Sequence, residues 1–358
     1  MKKRIIAPII LVLYIACFVC SSISAQADSK TEQAKASAMK SFTYNVIHPE
    51  NQRNKVGYFD LRMTPGQKQT VKIELTNPSD KEISVAISLN SVKTNGNGVL
   101  EYGPTSIEND KSLKYDFVNI VKAAEKVDIP AGETVPLELA IDMPEASFEG
   151  VISGGIEMKQ LPDKSEEKKE QTGIINEYAF LVGMLLSETD QPVEPDLVMN
   201  RVYAELENYR NAIFVSMSNI KPEYLNDVTT DVQIMKKGSD EVLYDKKKAS
   251  MRIGPNNMID FPVSMNGDKM IPGDYTAHVL VVSGEKRWEW TEDFKITDEE
   301  ADKFNSQDVS LLQERGIDWK LIGMIVGGVI VVIIIIFFIV RGVNKKKKQS
   351  KKRKPKKK

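Results

Sequence analysis

QTVKIELT, residues Gln69–Thr76, alternates apolar and polar side chains with a period of two. Val71, Ile73 and Leu75 point one way and Lys72 and Glu74 the other, the pattern of a strand with one face buried and one in water. The turn Asn77-Pro78-Ser79-Asp80 follows, and Glu82–Asn90 repeats the alternation through Ile83, Val85, Ile87 and Leu89. Upstream, Phe42, Tyr44 and Val46 share a face within Ser41–His48. Downstream, the turn Asn95–Gly98 (NGNG) separates further strands. Val135, Leu137, Leu139 and Ile141 alternate after the turn Pro130–Glu133. Gly150–Gln160 and Gly173–Ser187 read as two more strands, joined by the charged, solvated loop Asp163–Glu170. Short strands between polar turns predict an antiparallel β-sandwich.

Gln191-Pro192-Val193-Glu194-Pro195 breaks the pattern and reads as a linker. Beyond it, Ala212–Met217, Asp227–Met235 and Glu241–Tyr244 have strand character, the last two separated by the turn Lys237–Asp240. Ile129–Leu139 and Ile253–Val263 share the order turn then strand, and about twenty residues later Gly150 and Gly273 each open a strand. Trp288, Trp290, Phe294 and Ile296 fall on one face, which reads as core packing rather than an exposed aromatic stripe. The predicted fold class is all-β: two tandem immunoglobulin-like antiparallel β-sandwiches, 41–190 and 191–297, followed by a single transmembrane helix.

That helix is LIGMIVGGVIVVIIIIFFIV, Leu321–Val340, twenty residues without a charge, of which sixteen are Leu, Ile, Val or Phe. As a helix they would span about 30 Å, the thickness of a bilayer core. Trp319 marks one water interface, so the predicted span is 319–340. The tail 341–358 holds twelve Lys or Arg and no acid. The positive-inside rule places it in the cytoplasm, against anionic lipid, each basic residue contributing about 1 kcal/mol. The acidic stretch 298–318 reads as a stalk, with room for a short helix. At the other end, residues 1–27 have a basic start (Lys2, Lys3, Arg4), an apolar run and the cleavage pattern Ala25-Gln26-Ala27 of a secretory signal. Residues 28–40 read as a disordered leader. The expected placement is single-pass in the plasma membrane, N-terminus outside and C-terminus in the cytoplasm.

Signal and tail together carry fifteen basic residues and no acid, so the remainder has 34 basic against 50 acidic residues, a net charge of −16. An acidic exterior argues against nucleic acid as a partner. Both cysteines, Cys17 and Cys20, lie in the signal. Disulfides, thiolate catalysis and cysteine–zinc sites are therefore excluded for the mature chain. His48 and His278, the two histidines, lie in different blocks without metal-ligand spacing. No nucleophile elbow, Walker loop or dinucleotide fingerprint is present. The reading is not an enzyme, with no catalytic residue, no metal ligand and no cofactor.

HPENQ (His48–Gln52), followed by GYFDLRMTPGQKQTVKIELTN (Gly57–Asn77), resembles the signature region of the WxL-interacting proteins of low-GC Gram-positive bacteria. RIGPNNMIDFPV (Arg252–Val263), IPGDYTAHV (Ile271–Val279) and WEWTEDFKI (Trp288–Ile296) resemble the second domain of that family. The order of parts also matches. The resemblance implies a peptidoglycan-binding first domain and a host-binding second domain. In the family the seam falls near the polar loop, about residue 171, whereas the strand pattern puts Gly173–Ser187 with the first sandwich. The implied partners are WxL-domain surface proteins, peptidoglycan and host matrix, in the cell-wall zone. Within the signature, Pro65-Gly66 reads as a turn and Phe59 and Leu61 as core. Asn51 and Gln52, polar in a loop, are the candidate binding residues, set against a backbone-capping role. Two other functions stay open: a chaperone-like assembly factor that receives WxL proteins at an open sheet edge, and a wall hydrolase.

Overall fold

The computed structural model describes residues 42–162 and 178–313 and, within the apolar C-terminal stretch, residues 322–328, 330, 331 and 334. The signal, the leader, the charged loop 163–170, the end of the expected stalk, part of the expected span and the basic tail lie outside the described residues.

The alternating segments become strands. In the first block these are β1 (Thr43–Ile47), β2 (Phe59–Arg62), β3 (Lys68–Thr76), β4 (Ile83–Ser91), β5 (Lys93–Thr94), β6 (Leu100–Glu101), β7 (Val121–Ala123), β8 (Lys126–Ile129), β9 (Thr134–Asp142), β10 (Val151–Gln160) and β11 (Ala179–Ser187). One sheet has the order β1-β3-β9-β7 and the other β2-β11-β10-β4-β8, while β5 and β6 form a separate hairpin. In the first sheet Val71 lies opposite Leu139 and Ile73 opposite Leu137, so the apolar faces of β3 and β9 coincide. Their side chains join Phe59 and Leu61 of β2, Val85 of β4, Ile156 of β10 and Met184 of β11 in one core. Two sheets thus close on a single apolar layer, which is the driving force for the block.

The expected all-antiparallel pairing fails at one edge. β2 runs parallel to β11, with Leu61 opposite Leu186. A parallel pair needs a long connection, and the strands β3 to β10 supply it. β10 is crowded on both faces at Gly154-Gly155. A Cβ on Gly154 would lie 2.2 Å from the Phe117 ring, and one on Gly155 would lie 2.3 Å from the Tyr102 carbonyl oxygen. Only glycine lets both approach.

The second block holds β12 (Leu197–Glu207), β13 (Arg210–Asn219), β14 (Leu225–Lys236), β15 (Val242–Ile253), β16 (Asn257–Ser264), β17 (Gly273–Ser283) and β18 (Lys286–Ile296). Their orders are β12-β13-β16 and β15-β14-β17-β18. β12 has no clean alternation, being an edge strand whose residues are mostly half-buried or exposed, and the sequence pattern misses it. The expected stalk, read with room for a short helix, holds one at its start. Asp298–Gln307 is a helix with a full capping box: Glu300 N donates to Thr297 Oγ1 at 3.2 Å, and Thr297 N donates to Glu300 Oε2 at 2.9 Å. Its Ala301 and Phe304 are buried, so this segment is folded structure.

By contacts the chain forms two compact units. The first takes in the described residues of Met1–Ala204 with Ile213–Val263 and Gly273–Lys295; the second has Glu205–Ala212, Ser264–Pro272 and the residues from Ile296 onward. The first unit therefore contains most of both β blocks, and backbone bonds join them. Val151 N donates to Pro222 O and Arg252 N to Gly98 O, each at 2.8 Å. Asn257, nearly fully buried, donates from Nδ2 to Val92 O at 3.1 Å and accepts from Thr94 Oγ1 at 3.0 Å.

Among the described residues no helix is long and apolar enough to cross a membrane. The described part of 321–340 is helical, and Met324, Ile325, Val326, Ile330, Val331 and Ile334 are all exposed.

Candidate binding grooves and the signature loop

Asn51 and Gln52 sit where the loop after β1 folds back along β2. The Asn51 side chain donates from Nδ2 to Arg62 O at 2.8 Å and to Gln69 Oε1 at 3.0 Å, and its Oδ1 accepts from Gln69 Nε2 at 2.8 Å. Gln52 donates to Asn54 O at 2.8 Å and Tyr58 O at 3.0 Å, and accepts from Asp60 N at 3.2 Å. Both carboxamides hold this loop against β2. Asp60, almost fully buried, accepts from Asn54 Nδ2 at 2.6 Å and pairs with Arg53 at 3.4 Å. Arg53 also reaches Asp190 at 2.7 Å, and Arg62 pairs with the same carboxylate. The signature residues are thus largely spent on one another. Tyr58, 38% exposed, is the large aromatic this stretch leaves outward, beside the exposed His48, Glu50 and Lys55.

A cavity of about 430 Å³ opens in the first unit beside the joined blocks. Its walls include Tyr115 and Phe148, whose rings are 5.6 Å apart, together with Phe117, Ser153 and Asn256. Near it the Tyr224 hydroxyl lies 2.5 Å from Ser153 Oγ and 3.0 Å from the Tyr102 hydroxyl. Burial pushes the Tyr224 hydroxyl well above the ordinary tyrosine range, and Tyr102 adds to the rise.

A second groove of about 650 Å³ adjoins the first, and Glu149, Val193 and Lys221 line both. Its other walls are Pro192, Glu194, Pro195, Asp196, Lys286, Arg287 and Trp288. The linker predicted around Pro192–Pro195 forms one side, and the start of β18 the other. Trp288 and Trp290 are half-buried rather than core; of their face only Phe294 and Ile296 are buried. The Trp288 Nε1–H donates to Asp196 Oδ1 at 3.2 Å, which fixes the indole plane. Lys286 pairs with Glu194 at 2.5 Å and donates to Pro195 O at 3.0 Å. Arg287 pairs with Glu289 at 2.7 Å and, with His278, holds that carboxyl below the usual range. Among the described residues the side chains of Lys221 and Glu149 have no ion-pair partner. An oriented aromatic ring, neutralised pairs and two unspent charges can hold a polar ligand by stacking and hydrogen bonds. Sequence reading does not find this groove: the signal available is Trp288 near a Pro-rich linker, but its position on an otherwise apolar face points to the core.

Two family models match the chain. Residues 42–160 match "WxL Interacting Protein, peptidoglycan binding domain", and residues 169–306 match "WxL Interacting Protein, host binding domain". The chain belongs to the WxL-interacting protein family. Both matched models describe binding domains. The second match begins in the polar loop and so includes β11, which nevertheless pairs with β10 and β2 of the first block. The helix Asp298–Gln307 lies almost wholly inside the same match. No curated protein matches the chain.

Among solved structures, the chain is similar to the CsuC–CsuE chaperone–tip subunit complex of Acinetobacter baumannii pili. The identity there is 11%, with 70% of this chain and 97% of that chain covered and a TM-score of 0.29. The E. coli chaperone DraB gives 10% identity, 72% and 97% coverage and a TM-score of 0.27. Likeness this weak carries no argument about fold or function.

Proposed function

We propose that this WxL-interacting protein is a membrane-anchored binding adaptor of the cell surface. Two tandem immunoglobulin-like sandwiches, 41–190 and 191–297, hold cell-wall peptidoglycan and WxL-domain proteins near the membrane and contribute to host attachment. The observation that carries this reading is the pairing of a peptidoglycan-binding and a host-binding family match on one chain. The placement is single-pass in the plasma membrane, N-terminus outside, with the signal 1–27 removed and the tail 341–358 against anionic lipid in the cytoplasm. The exposed apolar side chains of the helical residues in 322–334 support an anchor, since a soluble chain rarely leaves so large a surface bare. The pairing of β11 with β10 supports a seam after residue 190. For the ligand, the groove at Trp288 is the better candidate than Asn51 and Gln52, whose side chains are occupied.

The test is retention. Residues 28–318, immobilised, are exposed to purified wall sacculi and, separately, to a surface extract of the source organism. Retention of sacculi together with a stoichiometric WxL-domain protein supports the adaptor. If neither is retained, the reading fails.

A further inference from the structure

We propose that the face of the second compact unit that carries Tyr209, Ile271 and Val309 is a contact surface for the lipid bilayer. The proposal rests on the anchored reading above and adds a second, independent membrane contact.

Three segments build this face. Asn208-Tyr209 is the tip of the hairpin between β12 and β13, with φ of 50° and 61°, a two-residue turn with both central residues left-handed. A tyrosine in that region is strained, and no packing compensates it, for Tyr209 is 71% exposed. The loop Ser264–Pro272 presents Ile271, 56% exposed. The helix Val309–Gln313 presents Val309 at its start, 37% exposed. Hydrogen bonds hold the three together: Val309 N donates to Tyr209 O at 3.0 Å, and Asn211 Nδ2 donates to Asp268 O at 3.1 Å. A Cβ on Gly267 would lie 3.8 Å from Ser310 Cβ.

The composition points to lipid. An exposed tyrosine and two aliphatic side chains stand beside Arg210 and Lys269, both exposed. The acids of these segments are Glu207 at the end of β12, Asp268 and the buried Asp308. Aromatic rings with flanking Arg and Lys are the side chains that settle at the bilayer–water boundary. The chain also keeps this unit near the apolar stretch. From Gln313 to Leu321 is eight residues, a reach of at most about 28 Å however the chain runs. The unit that carries the face is therefore the part of the molecule tethered next to the apolar stretch.

The experiment uses the full chain with Cys17→Ser and Cys20→Ser, which then has no other cysteine. Single variants Tyr209→Cys, Ile271→Cys and, as a control in the first unit, Val242→Cys are labelled with a polarity-sensitive fluorophore. Each is reconstituted in vesicles of phosphatidylcholine and phosphatidylglycerol. Flotation reports anchoring; a blue shift and quenching by brominated lipid report contact. The expected result is flotation of all three, with blue shift and quenching at positions 209 and 271 and neither at 242, which is 42% exposed in the native chain. Flotation with an aqueous label at 209 and 271 overturns this proposal and leaves the anchor standing. A chain that does not float overturns both. A blue shift without bromolipid quenching assigns the face to a protein contact and also overturns it.

Discussion

The backbone N–H of Asn211 donates to the carboxylate of Asp308 at 2.7 Å, and Asp308 is fully buried. The same carboxylate accepts from Ser310 N at 2.7 Å and Leu311 N at 3.3 Å. Burial alone would raise its pKa; the three backbone donors outweigh burial and hold it below the ordinary aspartate range. A depressed folded pKa gives stability that is present above about pH 4, the ordinary value, and is lost as pH falls through the lower folded value. Asp308→Ala leaves buried donors unpaired and should cost about 1–3 kcal/mol. Thermal melts of both proteins between neutral and acid pH check this: the difference should shrink on acidification.

Tyr224 makes the opposite prediction. Its folded pKa is raised, so its contribution is fully present below the unfolded value of about 10 and declines as pH rises beyond it. Tyr224→Phe removes the ionisation and should flatten the alkaline limb of the melting profile. At neutral pH it leaves the Ser153 and Tyr102 hydroxyls without this partner, at a cost of about 1 kcal/mol.

Gly98 sits at φ +66°, and a Cβ there would lie 2.5 Å from Met251 Cβ. Gly98→Ala combines strain at a left-handed position with overpacking against β15, for about 1–3 kcal/mol. Gly132, at φ +72° with open space around it, isolates the conformational part. Chemical denaturation of Gly98→Ala should therefore show a larger loss than Gly132→Ala.

Asn51→Ala tests the signature loop. It removes the bonds to Arg62 O and Gln69, and about 1–3 kcal/mol is expected from the partners left unmet. Amide exchange should rise in Pro49–Asp60 while the sheet β1-β3-β9-β7 stays protected.

Trp288→Ala tests the groove. If the ring is an anchor for ligand, retention on sacculi or on the protein partner should fall by about tenfold or more. Asn51→Ala should leave retention nearly unchanged once its lower stability is matched by temperature. Equal retention by Trp288→Ala and the parent chain would remove this groove from consideration.

The all-β class was legible because period-two alternation is a local property. Val71, Ile73 and Leu75 must share a side whatever their partners are, and burying that side requires a second sheet. The signature stretch was likewise recognisable as a string of residues. Asn51 reads as available because nothing local reveals that Arg62 and Gln69 will be adjacent. β12 escaped because an edge strand has no strict inside and outside.

Sequence by itself determined that this chain builds β-sheets from amphipathic strands, that it has no cysteine beyond Cys20, and that it carries an uncharged apolar stretch of twenty residues before a basic tail. Only the tertiary structure decided that β2 joins β11 in parallel, that Trp288 stops at a groove instead of entering the core, and that Ala301 and Phe304 of the helix Asp298–Gln307 are buried. The physical reason is one of range. Alternation and hydrophobicity are set by neighbours in the chain, whereas burial of a particular ring or carboxylate depends on which distant segment arrives to cover it.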